Sequence, residues 1–159
     1  MKVCELEDDS YKVFINNEKI KSVNFYSEES LEVFIRDIIM QLKHRYNVML
    51  RGLYDVSIFL NEKVGALINI EKIEAFLLPQ RDIDLRIKIV FDSKFYFKTK
   101  EFEIVKEFDN IYFYDDNYYI DASNISDFIR YVEFGDIIYD ENSNFEERGI
   151  KISKNSTKI

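Results

Sequence analysis

The sequence predicts an α+β protein of two small domains, each an antiparallel sheet with one or two helices packed on one face. Three observations point there. One amphipathic stretch, 28–46, has a helical period, whereas most other apolar runs are short and bounded by turn residues. Pairs of those runs flank polar loops at 61–63 and 115–117, as hairpins do. Pro79 is the only proline and sits near the middle of the chain, which divides it into residues 1–80 and 81–159.

The elements follow in order. Tyr11-Lys12-Val13-Phe14-Ile15 reads as a strand and 20–26 as a second extended or mixed stretch. Ser27 is suited to cap a helix, with Glu28 and Glu29 in the first turn, where the helix dipole favours negative charge. Leu31, Phe34, Ile35, Ile38, Ile39, Leu42 and Tyr46 form its apolar stripe, and Lys43 and Arg45 sit in its last turn. The runs 54–60 and 64–70 flank Asn61-Glu62-Lys63 as a hairpin, with Gly65 marking a bulge inside a strand. Beyond Pro79, Ile83, Leu85, Ile87 and Ile89 alternate with Asp84, Arg86 and Lys88, the pattern of a half-buried strand. Residues 99–108 read as a short helix or, by the alternation around Phe95 and Phe97, as a strand. Residues 111–114 and 118–120 flank Asp115-Asp116-Asn117 as a second hairpin. Asn124 is placed to cap a helix carrying Ile125, Phe128, Ile129 and Val132, with Gly135 as its C′ residue. Residues 137–139 and 150–152 close the order as short strands.

Composition narrows the class. Apolar residues are 47 % and charged residues 33 %, so a packed core is expected and disorder is not. The 14 Phe and 11 Tyr, with no Trp, supply much buried area per position, which suits small cores. The net charge of −8, with Lys and Arg scattered among acids, argues against a nucleic-acid partner, whose phosphates call for a basic patch. A single cysteine, Cys4, leaves no internal disulfide. The acidic opening residues lack the apolar core of a signal peptide, and no run has the roughly 18 apolar residues of a membrane span. The expectation is a cytoplasmic protein.

No reactive constellation stands out. His44, the only histidine, lies at the end of the predicted helix between Lys43 and Arg45, where an imidazolium acts as a capping charge. Cys4 has no basic neighbour in sequence to activate it. The four glycines are isolated, so there is no phosphate loop. Asp115, Asp116 and Asp121 offer the oxygen ligands a hard cation takes, but they equally suit an ordinary turn. The expectation is no catalytic residue, no cofactor and no metal: a protein that binds other proteins.

Several segments resemble the MecA family of adaptors for the ClpC AAA+ unfoldase. Tyr112-Phe113-Tyr114-Asp115-Asp116-Asn117-Tyr118-Tyr119-Ile120 resembles the aromatic hairpin of that family's C-terminal domain. Phe128-Ile129-Arg130-Tyr131-Val132-Glu133-Phe134-Gly135 is similar to its second helix and Glu-aromatic-Gly turn, and Phe145-Glu146-Glu147-Arg148-Gly149-Ile150-Lys151-Ile152 to its terminal element. Lys12-Val13-Phe14-Ile15, the long helix, residues 53–58 and Gly65-Ala66-Leu67-Ile68 resemble its N-terminal domain in the same order. The chain departs from the family in lacking a long acidic linker and in carrying Arg148 where the family has an aromatic residue or His.

The resemblance implies that residues 1–80 capture a substrate protein, in the known family a competence regulator, and that 81–159 dock on ClpC. It implies that Glu133, Phe134, Glu146 and Glu147 are protein-binding residues. The alternative, on charge alone, is an acidic inhibitor or immunity-type protein that neutralises a basic partner.

Overall fold

The computed structural model describes residues 1–6, 9–73, 83–125, 130–139 and 144–152. It is α+β, with two five-stranded sheets and few helices. The chain divides into two compact units, Met1–Phe59 with Gly65–Val90, and Leu60–Val64 with Phe91–Ile159. No described helix is long and apolar enough to cross a membrane.

The first unit contains β1 (Lys2–Glu5), β2 (Tyr11–Asn16), the one-turn α1 (Asn17–Ile20), α2 (Glu28–Tyr46), β3 (Gly52–Asn61), β4 (Gly65–Ile73) and β5 (Ile83–Val90). Its sheet order is β1-β2-β4-β3-β5. β2 pairs antiparallel with β1 and β4, whereas β5 runs parallel to β3, from Gly52↔Ile83 to Phe59↔Val90. Side chains alternate across a strand, so this register gathers Tyr11, Val13, Ile15, Tyr54, Val56, Ile58, Ala66, Ile68 and Ile70 on one face, all buried. The apolar stripe of α2 (Phe34, Ile35, Ile38 and Leu42, all buried) lies over that face, since Phe34 and Ile38 line one cleft with Ile15. Ser27 caps α2 as expected, its Oγ accepting from Ser30 N at 3.3 Å. Asn47 stops the helix in the left-handed region, and both its N–H and that of Val48 reach the Leu42 carbonyl.

The second unit contains β6 (Phe95–Thr99), α3 (Phe102–Val105), β7 (Ile111–Tyr114), β8 (Asn117–Asp121), β9 (Asp136–Tyr139), α4 (Asn144–Arg148) and β10 (Ile150–Ile152). Among the described residues, 3₁₀ turns at Ala122–Asn124 and Val132–Phe134 lie between β8 and β9. The sheet order is β10-β7-β8-β6-β9, antiparallel throughout. Asp115 and Asp116 both take positive φ, as the two-residue turn joining right-twisted strands requires. Phe95, Phe97, Ile111, Ile120 and Ile137 share one face and are buried with Val105 of α3. This unit's turn Leu60–Val64 is held by Ser93 N donating to Leu60 O and Asn61 Nδ2 to Ser93 O, each at 2.8 Å.

Four expectations need correction. The stretch 20–26 is not a strand: it is the end of α1 followed by turns, and the strand beside β2 is the short β1. The sequence Lys2-Val3-Cys4-Glu5 is too short to show a period. The alternating strand 83–90 belongs to the first sheet, so the division falls after Val90 and not at 80/81; Pro79 itself lies outside the described residues. In 122–134 the described parts are 3₁₀ turns, while 126–129 of the expected helix lie outside the described residues. Gly135 is extended rather than left-handed. It is small because a Cβ there would come within 2.2 Å of the Lys98 carbonyl and 2.8 Å of the Phe97 ring.

Candidate functional site

The second sheet has two chemically different faces. The Phe97 face is the core just described. The other gathers Tyr96, Tyr112, Tyr114 and Tyr119 with Ile138. Tyrosine suits such a face because its ring packs while its hydroxyl keeps a polar partner. Burial, followed by the nearby Asp115 carboxylate, pushes the Tyr119 phenol above its ordinary value. The Lys151 ammonium lies 5.9 Å from the Tyr112 ring centre.

Glu146 of α4 is tied to this tyrosine face. Its Oε1 accepts a short hydrogen bond from Tyr96 Oη and another from Lys94 Nζ at 3.1 Å. The Tyr96 hydroxyl first, and Lys94 in addition, hold the Glu146 carboxyl below the usual carboxylate range against the opposing cost of burial. The Lys94 ammonium also stacks over the Tyr96 ring, 4.9 Å from its centre. Glu146 is therefore an anchor of α4. Its neighbour Glu147 is exposed, with no partner among the described residues.

Glu133 and Phe134 stand on the opposite side of the sheet. Their 3₁₀ turn is fixed at several points. Thr99 Oγ1 donates to the Phe134 carbonyl at 2.9 Å, and Gly135 seats against Phe97 and the Lys98 carbonyl. The Tyr131 ring packs edge-on against Phe97 and Phe108. The backbone is thus held, yet the Phe134 side chain is 51 % exposed and Glu133 is exposed beside it. The four residues implied to bind protein do not form one patch: Glu133 and Phe134 are together, while Glu146 and Glu147 lie across the sheet from them. Alternation along 95–99 carries the signal, since it sends Tyr96 to the opposite face from Phe95 and Phe97. Tyr96 and Lys94, which hold Glu146, were not singled out from the sequence.

The first unit carries a cleft of about 530 Å³ between the end of α1 and α2. Its floor is Ile15 with Phe34 and Ile38, and its rim carries Lys19, Glu29 and Asp37. Met1 lies at one end, where Tyr46 Oη donates to its carbonyl at 2.9 Å. Burial, then the Lys19 ammonium, pushes the Met1 amine below its ordinary value. An apolar floor with mixed charges at the rim suits an apolar side chain of a polypeptide.

The remaining candidates are dispersed. His44 is exposed in the last turn of α2. Cys4 is half-buried in β1, and the pairing of β1 with β2 places Lys12 opposite it, a basic neighbour invisible in the local sequence. Asp115 and Asp116 sit at one end of β8 and Asp121 at the other, separated by about 13 Å at the usual rise of a strand. Asp121 instead accepts from Ser123 N and Oγ. Among the described residues no group of three or more His, Cys, Asp or Glu could hold a metal ion. Compared with family models, curated proteins and solved structures, the chain matches none.

Proposed function

We propose that this protein is a non-enzymatic adaptor, similar to the MecA adaptors, that brings a substrate protein to a ClpC-type AAA+ unfoldase. The observation that carries the reading is Phe134. A large aromatic side chain is half exposed on a turn whose backbone is fixed by Thr99, Gly135 and Tyr131. A preordered aromatic anchor gains affinity because little conformational freedom is lost on binding. Glu133 beside it supplies the charge that orients a basic partner. The first-unit cleft is the natural seat for the captured substrate.

ATPase stimulation of purified ClpC, alongside a pull-down from the source cell, tests this. The full chain is expected to stimulate the ATPase and recover the unfoldase. Phe134→Ala should lose both while keeping its melting temperature, and Glu133→Lys should weaken both. Recovery of no AAA+ partner, with no ATPase response, would sink the adaptor reading. The net charge of −8 favours the second reading, an acidic inhibitor of a basic protein. That reading predicts one tight partner, binding that falls steeply with salt, and no effect on an ATPase.

A further inference from the structure

The longest open sheet edge among the described residues is β5. It pairs with β3 on one side, and no described strand pairs on the other. The other edge strands, β1, β9 and β10, have only three or four residues each, against eight for β5. β5 is also apolar along one face: Ile83 and Ile87 are 39 % and 38 % exposed, and Leu85 and Ile89 are half-buried. A long, apolar, unpaired edge offers a row of backbone donors and acceptors to another strand, and natural proteins usually blunt such an edge.

The charges on β5 say which strand fits. Asp84, Arg86 and Lys88 share its other face. Arg86 is already engaged, its Nε and Nη2 donating to the Asp55 carboxylate at 2.8 and 3.1 Å. Among the described residues, Asp84 and Lys88 have no ion-pair partner. Antiparallel pairing of β5 with itself, centred on Arg86, sets Asp84 of each copy opposite Lys88 of the other. The same register sets Ile83 against Ile89 and Leu85 against Ile87, so apolar meets apolar and the Asp84–Lys88 pair forms twice, once from each copy. The central arginines face one another, but each is neutralised by its own Asp55. Shifting the two-fold to Ile87 would instead place Arg86 opposite Lys88.

We propose that the chain forms a two-fold homodimer by antiparallel pairing of β5 with β5 of a second copy, joining two first-unit sheets edge to edge. The contact is isologous, the geometry of most two-fold dimers.

Sedimentation equilibrium on the full chain over a micromolar concentration series tests this. The wild type is expected to be dimeric at the upper end. Asp84→Lys and Lys88→Glu each set like charges face to face twice, so each should weaken the dimer by about tenfold or more. Circular dichroism of each variant should match the wild type, since both positions are exposed. Mixing the two variants should restore association as a heterodimer, because one then carries two lysines opposite an aspartate and a glutamate. The double variant D84K/K88E should also dimerise. A wild type that stays monomeric throughout overturns the proposal, as do single variants that dimerise as tightly as the wild type, or a mixture that fails to associate.

Discussion

At Gly65 the backbone leaves no room for a side chain. Its φ is +139°, and a Cβ would lie 2.1 Å from the Ile15 carbonyl oxygen of the neighbouring strand. Strain and overlap act together there, so Gly65→Ala is expected to destabilise the protein by at least about 2 kcal/mol. Urea unfolding at equilibrium measures it; an unchanged midpoint would show that β2 and β4 do not need this approach. Glu146 sets a second constraint at the same scale. Its folded-state pKa is lowered, so its stabilising contribution is complete above the ordinary carboxylate range and is lost as pH falls through the lowered value. Tyr96→Phe removes the largest cause of that shift. The melting-temperature gap between wild type and Tyr96→Phe should therefore be widest near neutral pH and narrow on acidification. A gap independent of pH would show that the carboxylate charge plays no part.

Among the elements, α2 is the most self-contained. Its cap, its acidic first turn, its stripe and its basic last turn all agree. Ser27→Ala removes the acceptor for Ser30 N and should cost about 1 kcal/mol, read as a shift in the urea midpoint without change of slope. The hairpins were legible for the same local reason: Asn61 Oδ1 accepts from Lys63 N and Val64 N, and Asp115-Asp116 tolerate positive φ. β5 was legible as a strand but not as a member of the first sheet. Its alternation is local, whereas its pairing with β3 joins residues about thirty positions apart, and Pro79 between them draws attention to a break. β1 was missed because four residues hold no period. The 3₁₀ turn Val132–Phe134 differs from the expected helix because Thr99, Tyr131 and Gly135 tie it to the sheet, and sheet contacts outweigh weak helix propensity.

For the whole molecule, the position of β5 decides where the chain can be cut. A fragment ending at residue 80 leaves the β3 edge open beside Tyr54, Val56 and Ile58, all buried in the intact protein. A fragment ending at residue 90 keeps that edge paired. The longer fragment should unfold at distinctly higher urea than the shorter. Equal midpoints, or a more stable shorter fragment, would mean that β5 adds nothing to the first sheet.

The sequence by itself determined the α+β class, the long helix with its N-cap and the two hairpins. These depend on period, capping and turn chemistry, which act over a few residues. Tertiary structure alone decided that 83–90 completes the first sheet, that Lys12 faces Cys4, and that Glu146 is held by Tyr96 fifty residues away. It also decided that Glu146 and Glu133 stand on opposite faces. Strand pairing and side-chain contact across a sheet depend on which distant segments are brought together, and a local pattern carries no record of that choice.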